Sequence, residues 1–361
     1  MRAARYLASF IVPAVVLVSL LLEGPGAFLA PVVLFVGFPL LELVLSGTTQ
    51  NLTTDEERDE RGRRAYDLVL YAMVPTQFAL LALYLTKIAA GAPTAVEAIG
   101  WTMSMGMACG VLGINVAHEL GHRRRRYEQR MAKALLTTSL YAHFFIEHNR
   151  GHHARVSTPD DPASARYGET LYTFFVRSIV GAWLSAWELE RDRLERRGER
   201  VYSWRNEMVR LQVAQVGFVA LIAVAFGPIA TVGFVAAAGI GALLLETVNY
   251  IEHYGLTRRR FDDGRYERVL PIHSWNSNHP VGRIVLFELT RHSDHHANAR
   301  RRYQVLRHFD ESPQLPTGYP GMMVLAWFPP LWFGVMHRLI AHHEAEYVAA
   351  TDLREGALAA T

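Results

Sequence analysis

The sequence predicts an all-α integral membrane bundle of about six transmembrane helices with a cytosolic, histidine-rich catalytic cap. Three observations point there. Half of the 361 residues are hydrophobic, and mean hydropathy is slightly positive at +0.08, although 20% of residues are charged. These facts coexist only if the charges sit in blocks between apolar spans. Long apolar runs recur along the chain, each close to the ~20 residues that a helix needs to cross a bilayer core. Histidine is abundant, with 16 residues against a single cysteine, Cys109. One cysteine excludes a disulfide framework, a CxxC motif and a cysteine-ligated metal. A net charge of +3 gives no nucleic-acid signal. Basic runs beside apolar spans speak instead of membrane topology.

The first span covers about 6–22. Its charged start resembles a signal peptide, but the apolar run is long and no small-residue cleavage site follows convincingly. It is read as a retained helix. Further spans fall at about 27–46, 67–89, 97–117, 208–226 and 229–248. They pair into three hairpins through nearly uncharged turns, EGPG (23–26), GAP (91–93) and GP (227–228). The other connections are long and charged: 53–67, and the cap segments 118–206 and 249–361. They hold RRRR (123–126), RDRLERRGER (191–200), TRRR (257–260) and RRR (300–302). The lysine and arginine bias places them, and both termini, on the cytoplasmic side. Ala132–Ile146 and Leu171–Trp187 read as re-entrant or interfacial. The segment 320–339, broken by Pro329-Pro330, reads as interfacial. No repeat or low-complexity stretch divides the chain, which is taken as one domain, 1–361.

Four histidine groups lie near span ends. NVAHELGH (115–122) contains His118 and His122 in a literal H-E-x-x-H, which on a helix usually marks a zinc protease with the glutamate as base. EHNRGHH holds His148, His152 and His153. NYIEHYG holds His253, and RHSDHHA holds His292, His295 and His296. Spacings of three and four place the members of each cluster on one helical face. One such pair among sixteen histidines is weak evidence, and a lone His253 reads as an interface residue. Three multi-histidine clusters on one side of a membrane read as a metal site. Nine imidazoles exceed the three protein ligands of a catalytic zinc. They suffice for two ions of four or five ligands each, with a position open to an oxidant. Without thiolates, Fe–S clusters and blue copper are excluded, and nitrogen-rich open sites suit iron doing oxygen chemistry.

HELGH, EHNRGHH, NYIEHYG and RHSDHHA resemble the four signatures of the integral-membrane alkane 1-monooxygenases (the AlkB family), in the membrane fatty-acid desaturase and hydroxylase superfamily. The match runs from the second span to about residue 310. Desaturases share a looser pattern that lacks the NYIEHYGL box. The resemblance implies a non-haem di-iron centre, with no haem and no flavin in this chain. It implies terminal hydroxylation of medium-chain linear alkanes, taken from the bilayer, to 1-alkanols with O2. It places the protein in a bacterial inner membrane with the active site cytoplasmic. Electrons would come from rubredoxin, itself reduced by rubredoxin reductase. The implied ligands are His118, His122, His148, His152, His153, His253, His292, His295 and His296. A single cysteine cannot hold the iron of a fused rubredoxin, so the donor is a separate chain. Glu42 stands where many relatives carry aspartate, and the charge is kept.

Ligating imidazoles need partners on their second nitrogen. Glu119, Glu147, Asp160, Asp161, Glu252 and Asp294 are candidates, although half of them read equally as caps or surface charges. His273, Asn276 and His279 lie within HSWNSNH (273–279) and are weaker candidates. Gly106, Gly110 and Gly113 line one span; small residues at this spacing more often serve helix packing than a substrate tunnel. Glu42 and Glu246 are costly in lipid and should face the bundle interior as site candidates. No side chain beyond the metal centre is assigned a catalytic role. Arg123–Arg126 and Arg300–Arg302 either dock an acidic donor or only set topology. Alternatives are a desaturase or aromatic side-chain hydroxylase, a zinc protease using HELGH alone, and a metal transporter. The transporter requires ligands along the spans rather than at their ends.

Overall fold

In the computed structural model, residues 2–91 and 93–359 are described, with side chains to residue 345; Ala92 of the GAP turn lies outside them. Among these residues every regular element is helical, and the β pairing consists of two isolated bridges. In chain order the helices are α1 (Arg2–Leu21), α2 (Gly24–Val44), α3 (Thr54–Arg61), α4 (Arg64–Ala90) and α5 (Ala95–Gly121). Next come α6 (Arg126–Thr138), α7 (144–155), α8 (Leu171–Glu195) and α9 (Glu207–His253). The last are α10 (Pro280–Val285), α11 (His292–Ala297), α12 (Tyr319–Ala326) and α13 (Pro329–Ala359).

Five of them, α1, α2, α4, α5 and α9, are long and apolar enough to cross a bilayer. The expected fifth and sixth spans are two helices that meet at a sharp turn. They are the two arms of the 47-residue α9. A straight helix of that length would run ~70 Å, more than twice the ~30 Å of a hydrocarbon core. The backbone leaves helical geometry at Gly227 (φ 81°, ψ 176°), at the GP turn marked by the sequence. Glycine takes that φ at no steric cost, and Pro228 suits the first position of the second arm.

Local chemistry sets several helix starts. Thr53 and Glu56 form a capping box at α3, and Thr94 and Glu97 form another at α5. Each such cap contributes about 1 kcal/mol by satisfying amides that have no helical partner. Thr170 caps α8. The expected re-entrant stretch 171–187 is therefore the first part of a longer regular helix, whose charged end reaches Glu195. The stretch 132–146 is two elements: α6 ends at Thr138, and Leu140 turns the chain with φ 50° before α7. The break between α12 and α13 falls at 327–328, just ahead of Pro329-Pro330.

The innermost span is α5, with 72% of its apolar window inside the protein against 17–44% for the other four. A side chain at Gly106 or Gly110 would meet Ile240 or Leu244 of α9, and one at Gly241 would meet Cys109. Small residues thus let α5 and α9 approach closely. Three helices widen into π turns, at Val33–Gly37, Cys109–Asn115 and His148–His152. The cap is tied to the spans by carboxylates. Glu288 accepts from Tyr6 at 2.7 Å and from Arg283 at 2.6 Å, and Glu42 accepts the Gly282 amide at 2.8 Å.

Candidate metal centre

The end of α5 delivers His118 and His122, α7 delivers His148, His152 and His153, the end of α9 delivers His253, and α11 delivers the rest. Their ring nitrogens gather into two groups, each with its nitrogens within 4.8 Å of one another. His118, His122, His148, His153 and His295 form a group of five. His152, His253, His292 and His296 form a group of four. The groups abut, with the His153 and His296 rings 4.6 Å apart.

These contacts are not ordinary hydrogen bonds. The Nε2 of His122 lies 3.2 Å from that of His118, 3.1 Å from that of His148 and 3.3 Å from that of His153. A neutral imidazole nitrogen carries one hydrogen or one lone pair, so it cannot serve three partners. In the second group, Nε2 of His292 lies 3.1 Å from that of His253 and 2.8 Å from that of His296. Ligands about 2.1 Å from a shared ion would stand ~3.0 Å apart at a right angle and ~3.4 Å apart at the tetrahedral angle. The observed separations match that range. The donor set therefore fits two metal ions held by imidazole nitrogen alone.

The rings are kept neutral, the form that ligates. Burial, followed by neighbouring imidazoles, holds His122, His148, His292, His295 and His296 well below the usual imidazole range. Burial and then His152 push His153 down to about 3. His152 is the exception. Burial pulls it down, but Asp161 overcomes this and raises it.

Of the carboxylates proposed as outer partners, Asp161 meets a ligand on its far side. It lies 2.9 Å from His152 Nδ1 and accepts from Ser164 at 2.6 Å. Glu252 lies on the near side, 3.2 Å from His292 Nε2. Glu147 accepts from Arg155 at 2.9 Å; burial and then Asp161 push its carboxyl up to about 7. The others are corrected by the structure. Asp160 is exposed beside the buried Asp161. Glu119 accepts from Arg123 at 2.7 Å, and Arg123 also pairs with Asp67 at 3.4 Å. A carboxylate so occupied does not fit the protease reading, which needs Glu119 as a free base. Asp294 accepts from Asn298, Arg301 and the Arg307 amide. Asn276 accepts from Ser293, and His279 contacts Ser277. His273 pairs through its ring with Glu267 at 3.1 Å; only its backbone carbonyl, 3.4 Å away, faces His253.

An apolar cavity is lined in part by His118, His148 and His292. Its walls include Leu34, Phe38, Gly110, Phe144, Val248 and Met323. Of the proposed tunnel residues only Gly110 borders it. Gly113 packs against Ser139, and Gly106 against α9. Glu42 holds the cap, and Glu246 accepts from Tyr141 and Ser178. Both carboxylates face inward, but their partners are structural. A second, open cavity of about 1770 Å³ reaches His122, His153 and His296 from the cap side, among Arg124, Arg125 and Arg300. Of the two arginine runs, Arg123, Arg301 and Arg302 are tied to carboxylates, while Arg124–Arg126 and Arg300 are exposed.

The sequence reading missed Arg291. It is buried beside His292 and donates to the carbonyls of Leu306, Thr48 and Gln50, which orients α11. It also missed Asn115, Asn249 and Tyr319 in the cavity wall. The two asparagines had a signal, since each is a polar residue in an apolar span one turn before a ligand. Tyr319 had none.

A protein-family model described as "Fatty acid desaturase" matches residues 93–326. The chain is 49% identical over 255 residues to alkane 1-monooxygenase 2 of Pseudomonas aeruginosa, covering 70% of this chain and 68% of that protein. It is 41% identical over 312 residues to the alkane 1-monooxygenase of Ectopseudomonas oleovorans, covering 86% and 77%. It is 28% identical over 297 residues to the hydroxylase component of a xylene/toluene monooxygenase of Pseudomonas putida, covering 81% and 79%. With the apolar helices and the histidine groups already described, these likenesses show that the chain belongs to the alkane 1-monooxygenase family of integral membrane oxidoreductases.

Proposed function

We propose that this protein hydroxylates the terminal carbon of medium-chain linear alkanes, using O2 and electrons from a separate rubredoxin. The observation that carries the reading is the convergence of nine imidazole nitrogens, five and four, beside an apolar cavity that three of the rings, His118, His148 and His292, line. Two iron ions bound by these groups would supply oxygen activation and oxidation of the C–H bond. The chain's own part is positioning. The cavity walls strip water from a hydrocarbon chain and present its end beside His118, His148 and His292. Asp161 fixes the tautomer of His152, so that its Nε2 faces the other ligands. Apart from His152, burial favours the neutral form of these rings.

The basic opening on the other side supports an acidic electron donor. Arg124, Arg125 and Arg300 lie around an open approach to His122, His153 and His296. Complementary charge of this kind speeds encounter. The same arginines support a cytoplasmic face in a bacterial inner membrane. Rubredoxin reductase would reduce the donor in turn.

The test is reconstitution of the purified protein with rubredoxin, its reductase, NADH and 18O2. Octane should yield 1-octanol carrying one labelled oxygen, and a series of alkanes defines the preferred length. Zinc at one ion per chain, or no O2-dependent alkanol from any alkane, overturns the reading. The xylene/toluene relative favours a second substrate class. Faster turnover of xylene than of every alkane would establish it.

A further inference from the structure

Three polar atoms in the cavity wall are buried and have no hydrogen-bond partner: Asn115 Nδ2, Glu252 Oε1 and Tyr319 Oη. Their side chains are 8%, 2% and 0% exposed. Asn115 ends the π turn of α5, one turn before His118. Glu252 precedes His253, and Tyr319 opens α12. All three border the same apolar cavity as His118, His148 and His292. The Tyr319 hydroxyl faces the Glu252 carboxyl and interacts with it, without closing a hydrogen bond of full geometry.

A hydrocarbon can satisfy none of these atoms. A terminal hydroxyl can, because it is donor and acceptor at once. It accepts from the Asn115 amide and donates to the Glu252 carboxyl, and the Tyr319 hydroxyl can serve in either direction. Its apolar chain meanwhile occupies the cavity as an alkane does. We propose that Asn115, Glu252 and Tyr319 form a binding site for the hydroxyl of a primary alcohol, so that the cavity prefers a 1-alkanol to the alkane of equal length. The proposal deepens the hydroxylation reading and rests on it. It makes the protein subject to competitive inhibition by its own product.

The test compares 1-octanol with octane as displacers of diphenylhexatriene from the purified full-length protein. Each variant is measured as a ratio to the parent in the same detergent, which cancels partitioning into micelles. Asn115→Leu removes an amide that has no partner, and Tyr319→Phe removes the hydroxyl beside Glu252 and keeps the ring. Each should lower the preference for 1-octanol about fivefold, the worth of one buried hydrogen bond. Octane displacement by each variant is the reference against which its 1-octanol displacement is read, and metal content should stay at the parent level. If Asn115→Leu misfolds, Tyr319→Phe carries the test alone. A preference unchanged in Tyr319→Phe, as when water alone fills the site, overturns the proposal. The two readings fail separately. Absence of 1-octanol in the turnover assay refutes hydroxylation, whereas 1-octanol formed with an unchanged preference refutes the hydroxyl site alone.

Discussion

The nine imidazoles are approached from two sides with opposite chemistry. The cavity lined in part by His118, His148 and His292 is walled by aliphatic and aromatic side chains from α2, α5, α7, α9, α10 and α12. The opening that reaches His122, His153 and His296 is walled by arginines and lies open to water. The histidines follow the division in part: the three on the apolar side are buried, and on the wet side His122 and His153 are half-buried while His296 is buried. A water-insoluble substrate and a water-soluble donor cannot use the same door. A lining that welcomes one excludes the other, because charge is costly in an apolar wall and hydrocarbon gains nothing from a hydrated one. Each group of histidines meets both sides. His118 and His122 belong to the group of five, and His292 and His296 to the group of four.

The comparison can be broken most sharply at the ligands. His122→Ala removes a nitrogen on the wet side of the group of five, and His292→Ala removes one on the dry side of the group of four. Each should lower octane hydroxylation by at least ~100-fold, more than loss of an outer partner does. Each should also take iron from two per chain toward one, as read by metal analysis. Full metal and full activity in either variant would dissolve the two-group description. One step outward, Asp161→Asn leaves all nine nitrogens but weakens the hold on His152. Metal affinity measured by chelator competition should fall roughly 10–100-fold. An unchanged affinity would make Asp161 merely structural.

Smaller changes should separate the two doors. Val248→Phe adds bulk to the apolar wall alone. The KM for octane should rise roughly tenfold, the scale of a misfit in a hydrophobic pocket, with the KM for rubredoxin unchanged. Arg124→Glu combined with Arg300→Glu alters the wet side alone. Here kcat/KM for rubredoxin should fall about threefold to fivefold at low salt and recover at high salt, with the KM for octane unchanged. If either variant moved both KM values together, the sides would not be independent.

How much of this was legible in the sequence follows from the range over which each feature is decided. The apolar spans and the GP and PP breaks are local patterns, and they predict the membrane-crossing helices within a few residues. The two arms of α9 were legible because the GP pair marks the place where Gly227 turns the chain within one residue. HELGH predicts a pair that stays together, since His118 and His122 lie one turn apart on a single helix and enter the same group. The other clusters divide. His148 and His153 join the group of five and His152 the group of four, while His295 leaves His292 and His296. Spacing places residues on a face, but it does not say which neighbouring helix will meet that face.

The carboxylates teach the same lesson at shorter range. Asp160 and Asp161 are adjacent in one turn, yet one faces water and the other His152, because the 157–164 loop folds back on itself through Ser164. Glu119 is claimed by Arg123, four residues along the same helix, with Asp67 of α4 behind it. By itself the sequence determined that this is a membrane chain with nine histidines clustered at helical spacings, because hydropathy and helical period act over a few turns. Only the tertiary structure decided how those histidines sort into five and four, which carboxylate reaches which ring, and where Asn115 and Tyr319 face the cavity. Those outcomes depend on how helices distant in sequence pack against one another, and no local pattern carries that information.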